Sequence, residues 1–202
     1  MEIRKEVLAL AKAASTDMAR PVLECIALSA NGQAAATDSY VAVLLPPTIP
    51  NKEPGDLMLL PRALTTIARK KPLCVEASED DGRVTLSVQY VNGGKINYSL
   101  PRVEGAFPNV TRLVGKTLAE PTVASIRLDA KLLRDLAGLL SSLCRNGREQ
   151  GVVMELRAQT SAVSFIGEDE DGREVVALLM PMEYHKPEPS TWLKDIVASG
   201  KE

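Results

Sequence analysis

The sequence predicts an α+β protein built from repeated β-α-β-β-β units, with antiparallel sheets carrying helices on one face. Three observations predict it. A helical period followed by three strand-like runs occurs three times within 202 residues. Tight-turn dipeptides split those runs: Asn31-Gly32, Asp81-Gly82 and Asn92-Gly93. Each unit's last strand stops at a proline, at Pro46, Pro101 and Pro181.

The first unit opens with a helix near residues 3–14. Ile3, Val7, Leu8, Ala11 and Ala14 form its apolar face, and Arg4, Lys5 and Lys12 lie off it. Strands follow at 22–29, 33–37 and 40–45. The second unit has a strand at 56–60, and Pro61 suits the first turn of a helix whose inward residues are Leu64, Ile67 and Ala68. Its strands are 73–78, 83–90 and 95–100.

In the third unit, apolar and polar residues alternate over 123–128, which predicts a strand. Asp129 is the N-cap of a helix at 130–143 with a core face of Leu132, Leu133, Leu136, Leu140 and Leu143. Strands at 151–157, 161–166 and 174–180 complete it. The connection 102–122 reads as partly irregular. Pro189 and Ser190 start a short helix carrying Trp192, Leu193 and Ile196, and everything after Met182 reads as an appendage to the third unit. The expected domains are 1–118 (two units), 119–183 (one unit) and a tail, 184–202. A single unit cannot bury its sheet face alone, so units must stack or pair.

Composition narrows the function. Net charge is −2, so bulk charge makes no case for nucleic acid. The charge is uneven, however. Arg62, Arg69, Lys70 and Lys71 cluster without an acid, and Lys131, Arg134, Arg145 and Arg148 face Asp135 alone. The acids gather at 79–81 and 168–171. Three scattered cysteines, Cys25, Cys74 and Cys144, predict neither a disulfide framework nor a zinc site. No apolar run reaches membrane-span length and no signal-peptide core follows Met1, so a cytoplasmic protein with no membrane association is expected.

Catalytic patterns are lacking. The single histidine, His185, lies in a proline-rich stretch beside Lys186, a poor setting for a triad. Gly115-Lys116-Thr117 resembles the end of a phosphate loop, but Val110 stands where that loop needs glycine. Neither an enzyme nor a cofactor is expected.

Three segments, in order, resemble the bacterial DNA polymerase III beta subunit, the sliding clamp. Residues 36–43, ATDSYVAV, are similar to its Ala-Thr-Asp-Gly-x-x-Leu-Ala stretch. Residues 104–114, EGAFPNVTRLV, are similar to its Gly-x-Phe-Pro segment, and residues 176–182, VALLMPM, to its Val-Val-Met-Pro-Met. Ser39 and Tyr40 depart from the family, which has glycine and a polar or basic residue there. The resemblance covers about residues 4–182. It matches the clamp's two-unit middle domain joined to the second half of its last domain.

The resemblance implies a DNA-clamp-like fold and a truncated clamp-like role in DNA replication or repair. It also implies a hydrophobic cleft for short peptides of DNA polymerase and other clamp-binding proteins. That cleft would comprise Leu23, Thr37, Ser39, Tyr40, Val41, Pro108, Arg112, Leu113, Leu178, Leu179, Met180, Pro181 and Met182. Thr37 and Ser39 would offer hydroxyls and Arg112 a cationic rim. Duplex DNA would meet Lys5, Lys12, Arg69, Lys70, Lys71, Lys131 and Arg134. The odd unit count implies a homo-oligomer, a two-fold dimer or a tetramer. A peptide adaptor or clamp inhibitor without DNA binding is the alternative. The tail is expected either to fold over the cleft as a competitor or to cover another patch.

Overall fold

The computed structural model describes residues 2–29, 31–47, 57–67, 72–122, 124–144, 152–156, 162–169, 171–183 and 188–200, without the side chains of residues 66 and 67. They form two compact units. One comprises Met1–Glu120 with Ser190–Glu202, the other Pro121–Pro189.

The first unit begins with α1 (Lys5–Ala9), which tightens into a 3-10 helix (Leu10–Lys12). Then come β1 (Cys25–Leu28), β2 (Ala34–Thr37), β3 (Ala42–Leu45) and β4 (Met58–Pro61). Pro61 therefore ends a strand, and α2 (Arg62–Ile67) starts one residue later. A long meander follows: β5 (Pro72–Asp80), β6 (Arg83–Tyr90) and β7 (Lys95–Pro101). One sheet has the order β3-β2-β1-β4 and the other β5-β6-β7, all antiparallel.

Val7, Leu8 and Leu10 from the first helical segment, Ile26, Leu28, Met58 and Leu60 from one sheet, and Val75, Val84, Leu86 and Val88 from the other share a single core with Leu64. Two helix-and-sheet modules thus close on each other. Antiparallel sheets usually keep one wet face. Here every residue of β1, β2 and β4 is buried, because the second face is also covered. The cover is the connection expected to be irregular. Residues 110–119 form α3 (Val110–Ala119), capped by Asn109, whose side chain accepts from the Arg112 amide at 2.9 Å.

The second unit holds α4 (Ala130–Leu143), β8 (Val153–Glu155), β9 (Val163–Glu168) and β10 (Glu174–Leu179), in the sheet order β10-β9-β8. Asp129 is the α4 N-cap, as expected, accepting from the Lys131 and Leu132 amides at 2.8 and 2.9 Å. Two expectations fail here. Residues 124–128 form no strand, although the Arg127 carbonyl still accepts from the Met182 amide at 2.8 Å. Of the five leucines expected in the α4 core face, only Leu140 is buried. Leu136 is half-buried, and Leu132, Leu133 and Leu143 are exposed. A single module has too little sheet to cover an apolar stripe that wide.

The tail helix α5 (Thr191–Ser199) packs on α3, so it belongs with the first unit rather than extending the third repeat. Among the described residues, no helix is long and apolar enough to cross a membrane.

Candidate functional site

The corner between β2 and β3 explains the polar run that enters an apolar strand. Asp38 Oδ1 accepts from the amides of Tyr40 at 2.8 Å and Val41 at 2.7 Å, and the Asp38 amide donates to the Val41 carbonyl. This is an Asx-type turn, in which a short carboxylate replaces a backbone acceptor. The Val41 amide first, and then that of Tyr40, hold the Asp38 carboxyl below its ordinary range. The Thr37 hydroxyl accepts from the Ser39 amide at 3.2 Å and is buried. Ser39 takes φ 83°, the left-handed region that glycine prefers, and its hydroxyl accepts from Arg20 at 3.2 Å. Thr37 and Ser39 therefore each use a hydroxyl oxygen as an acceptor within the corner.

The turn leaves Tyr40 and Val41 outside. Tyr40 is 96% exposed and Val41 52%. Alongside, α3 packs against β2 and β3, and it carries Arg112 and Leu113, both exposed. Leu23, within the turn that leads into β1, is half-buried. The segment before α3 is fixed by two residues. Gly105 has φ 137°, and a Cβ there would strike Val22. Phe107 packs, with Val22 and Val103, on Cys25, Ala27 and Leu59.

A groove of about 280 Å³ opens between that segment and the sheet. Pro108 is the one expected cleft residue that lines it. Ala27, Ala35, Leu44, Leu57, Phe107 and Thr111 also line it, and the sequence reading missed them. A signal was present, however. Ala27, Ala35 and Leu44 lie in one cross-strand row, and alanines in such a row leave a hollow that larger residues would fill.

In the second unit, the end of β10 divides by face. Leu179 is buried in that unit's own core, Pro181 is half-buried, and Leu178, Met180 and Met182 are exposed. Leu178 faces outward at 65% exposure.

The described part of the tail does not cover the β2–β3 corner. Ile196 is buried and Trp192 half-buried, while Tyr40, Val41 and Leu113 stay exposed. Gly115 and Gly200 touch where α5 crosses α3.

Of the cationic residues, Lys5 and Lys12 are exposed on the first helical segment, and Lys131 and Arg134 on α4. Arg69, Lys70 and Lys71 lie outside the described residues. Lys131 and Arg134 sit in the first half of α4, where the helix dipole disfavours cations, so helix stability does not account for them. Arg134 pairs with Asp135 at 2.7 Å, both largely exposed, which offsets part of its charge. Among the described residues, no group of three or more His, Cys, Asp or Glu side chains is placed to hold a metal ion.

No protein-family model and no curated protein matches the sequence. Solved structures do. The beta subunit of DNA polymerase from Streptococcus pyogenes is similar over 98% of this chain and 53% of its own, at TM-score 0.64 and 19% identity. The DNA polymerase sliding clamp of Bacillus subtilis matches over 97% and 52%, at TM-score 0.64 and 17% identity. The Pseudomonas aeruginosa clamp bound to griselimycin matches over 90% and 49%, at TM-score 0.61 and 15% identity. The chain spans about half the length of the clamps it matches. Its two units, with their meanders and the helix-covered first sheet, therefore have the fold of the bacterial DNA polymerase III beta sliding clamps.

Proposed function

We propose that this protein is a non-enzymatic, sliding-clamp-like accessory of DNA replication or repair that binds short peptide motifs of DNA polymerases and related partners. The observation that carries the reading is the exposure of Tyr40, Val41, Arg112 and Leu113 on adjoining elements of a clamp fold. Extended peptides gain affinity from apolar anchors and register from a few hydrogen bonds. Tyr40 offers a ring to stack on, Val41 and Leu113 offer aliphatic contact, and Arg112 supplies a cation. Pro108 and the groove beside it extend that surface. In the other unit, Leu178, Met180 and Met182 offer an adaptable apolar strip of the same chemistry. Leu23, Thr37, Ser39, Leu179 and Pro181 serve as support for these surfaces.

The second part of the proposal is contact with duplex DNA through Lys5, Lys12, Arg69, Lys70, Lys71, Lys131 and Arg134. Such contacts go to phosphates and weaken steeply with salt. The role places the protein in the cytoplasm, acting with further copies of itself.

Griselimycin, which the Pseudomonas clamp holds, and clamp-binding peptides of polymerases are the probes for calorimetry. Saturable binding that Tyr40→Ala and Leu113→Asp each weaken by about tenfold supports the peptide surface. No binding of either probe overturns it. Duplex binding that is lost on combining Arg69→Glu, Lys70→Glu, Lys131→Glu and Arg134→Glu supports the DNA surface. Peptide binding without duplex binding favours the alternative, an adaptor or clamp inhibitor derived from this fold.

A further inference from the structure

The first unit records how one module of this chain is completed by another. Strand β1, which follows the first helical segment, pairs antiparallel with β4, the strand leading into α2. Reciprocally, β5, which follows α2, takes the segment leading into α1. Glu2 bridges Glu76, and the Ile3 amide donates to the Val75 carbonyl at 2.7 Å. Each module lends its pre-helix segment to the edge of the other's sheet. The exchange has two-fold character and closes one shared core.

The second unit repeats this build once and carries both unmatched halves of the exchange. Among the described residues, β9 is the one strand that pairs with β8. The pre-helix segment 124–128 has strand-like alternation and, among the described residues, pairs with no strand, its one backbone tie here being the Arg127 carbonyl to the Met182 amide. Between α4 and β8 lies an apolar groove of about 310 Å³ lined by Leu133, Leu136, Leu140, Val152, Met154 and Phe165. Met154 is 53% exposed there, at the edge where the first unit has its second module. A strand edge that no described strand joins, beside an apolar groove, is a template for pairing.

We propose that the second unit pairs with the second unit of another copy of this chain across a two-fold axis. Residues 124–128 of each copy add antiparallel to β8 of the other, and the α4 stripes close the shared core. The self-complementary arrangement follows from the exchange inside the first unit, since each copy offers both the donor segment and the acceptor edge. This deepens the proposal that copies associate, and it stands apart from peptide and DNA binding, whose tests do not read it.

The test is the solution mass of the full chain by sedimentation, with Leu133→Glu and Met154→Lys as separate variants. Both substitutions fall at exposed side chains, so far-UV circular dichroism is expected to stay unchanged. The expected mass is twice 21.8 kDa. Each variant should weaken the dimer by at least about tenfold. A chain that stays monomeric at about 100 micromolar overturns the proposal, since a complete apolar interface associates well below that. A dimer that both variants leave intact overturns it too, because the contact would then lie elsewhere.

Discussion

The amide of Val41 donates to the Asp38 carboxylate at 2.7 Å, and this contact does most to hold that carboxyl below its ordinary range. A carboxyl with a lowered folded-state value stabilises the fold above the unfolded titration point, and its contribution disappears as pH falls through the folded value. The acid-side loss from this corner therefore begins below about pH 4. Asp38→Asn keeps an acceptor oxygen without the charge, so it should flatten this part of the acid limb. Asp38→Ala removes the acceptor and should lower the melting temperature at neutral pH as well. Thermal melts of the three proteins at about pH 3 and about pH 7 check both outcomes.

Ser39 follows with φ 83°, a conformation that a Cβ disfavours. Ser39→Gly relieves that strain and loses only the exposed bond from Arg20. The expected result is stabilisation of about 0.5–1 kcal/mol, read from the denaturation midpoint. Ser39→Ala keeps the strain and should not stabilise. If glycine and alanine behave alike, strain at this position is not what sets the energy.

The three thiols should react at different rates. Burial, and secondarily the Glu24 charge, pushes Cys25 up to about 11, and Cys144 is buried, whereas Cys74 is half-buried. At about pH 8 only about one Cys25 in a thousand is thiolate. Thiol titration of the native chain should show one fast equivalent, abolished by Cys74→Ser. The other two should appear on unfolding. Two fast equivalents would contradict the burial of Cys25 or of Cys144.

The strands that the sequence marked most clearly are those with local punctuation. Strand β6 begins after Asp81-Gly82, with Gly82 at φ 69°, and β7 follows a turn with Gly93 at φ 80°. Asp129 likewise announced α4. What was not legible depends on distant partners. Residues 110–119 looked irregular because Gly115 lowers helix propensity, and its reason is a helix far along the chain. Residues 124–128 alternate like a strand and, among the described residues, join no sheet edge. Tyr40 and Val41, which the resemblance assigned to the cleft, are exposed at this corner. The role of the Asp38 carboxylate was missed, since an Asx turn depends on backbone geometry that alternation does not encode.

That distant partner supplies the last prediction. Gly115 is buried, and a Cβ there would strike the Ile196 carbonyl, while one at Gly200 would strike the Gly115 carbonyl carbon. These neighbours are backbone, which cannot rotate aside, so the helices must separate to admit a side chain. Gly115→Val should undock α5 while leaving the two sheets folded. The protein's single tryptophan, Trp192, lies on α5 and is half-buried, so its fluorescence should shift to the red. Lysine-directed proteolysis should then release fragments cut at Lys194. Gly115→Ala carries the same clash with less bulk and should show part of the shift. An unshifted spectrum in the valine variant would mean that α5 is held by contacts other than this crossing.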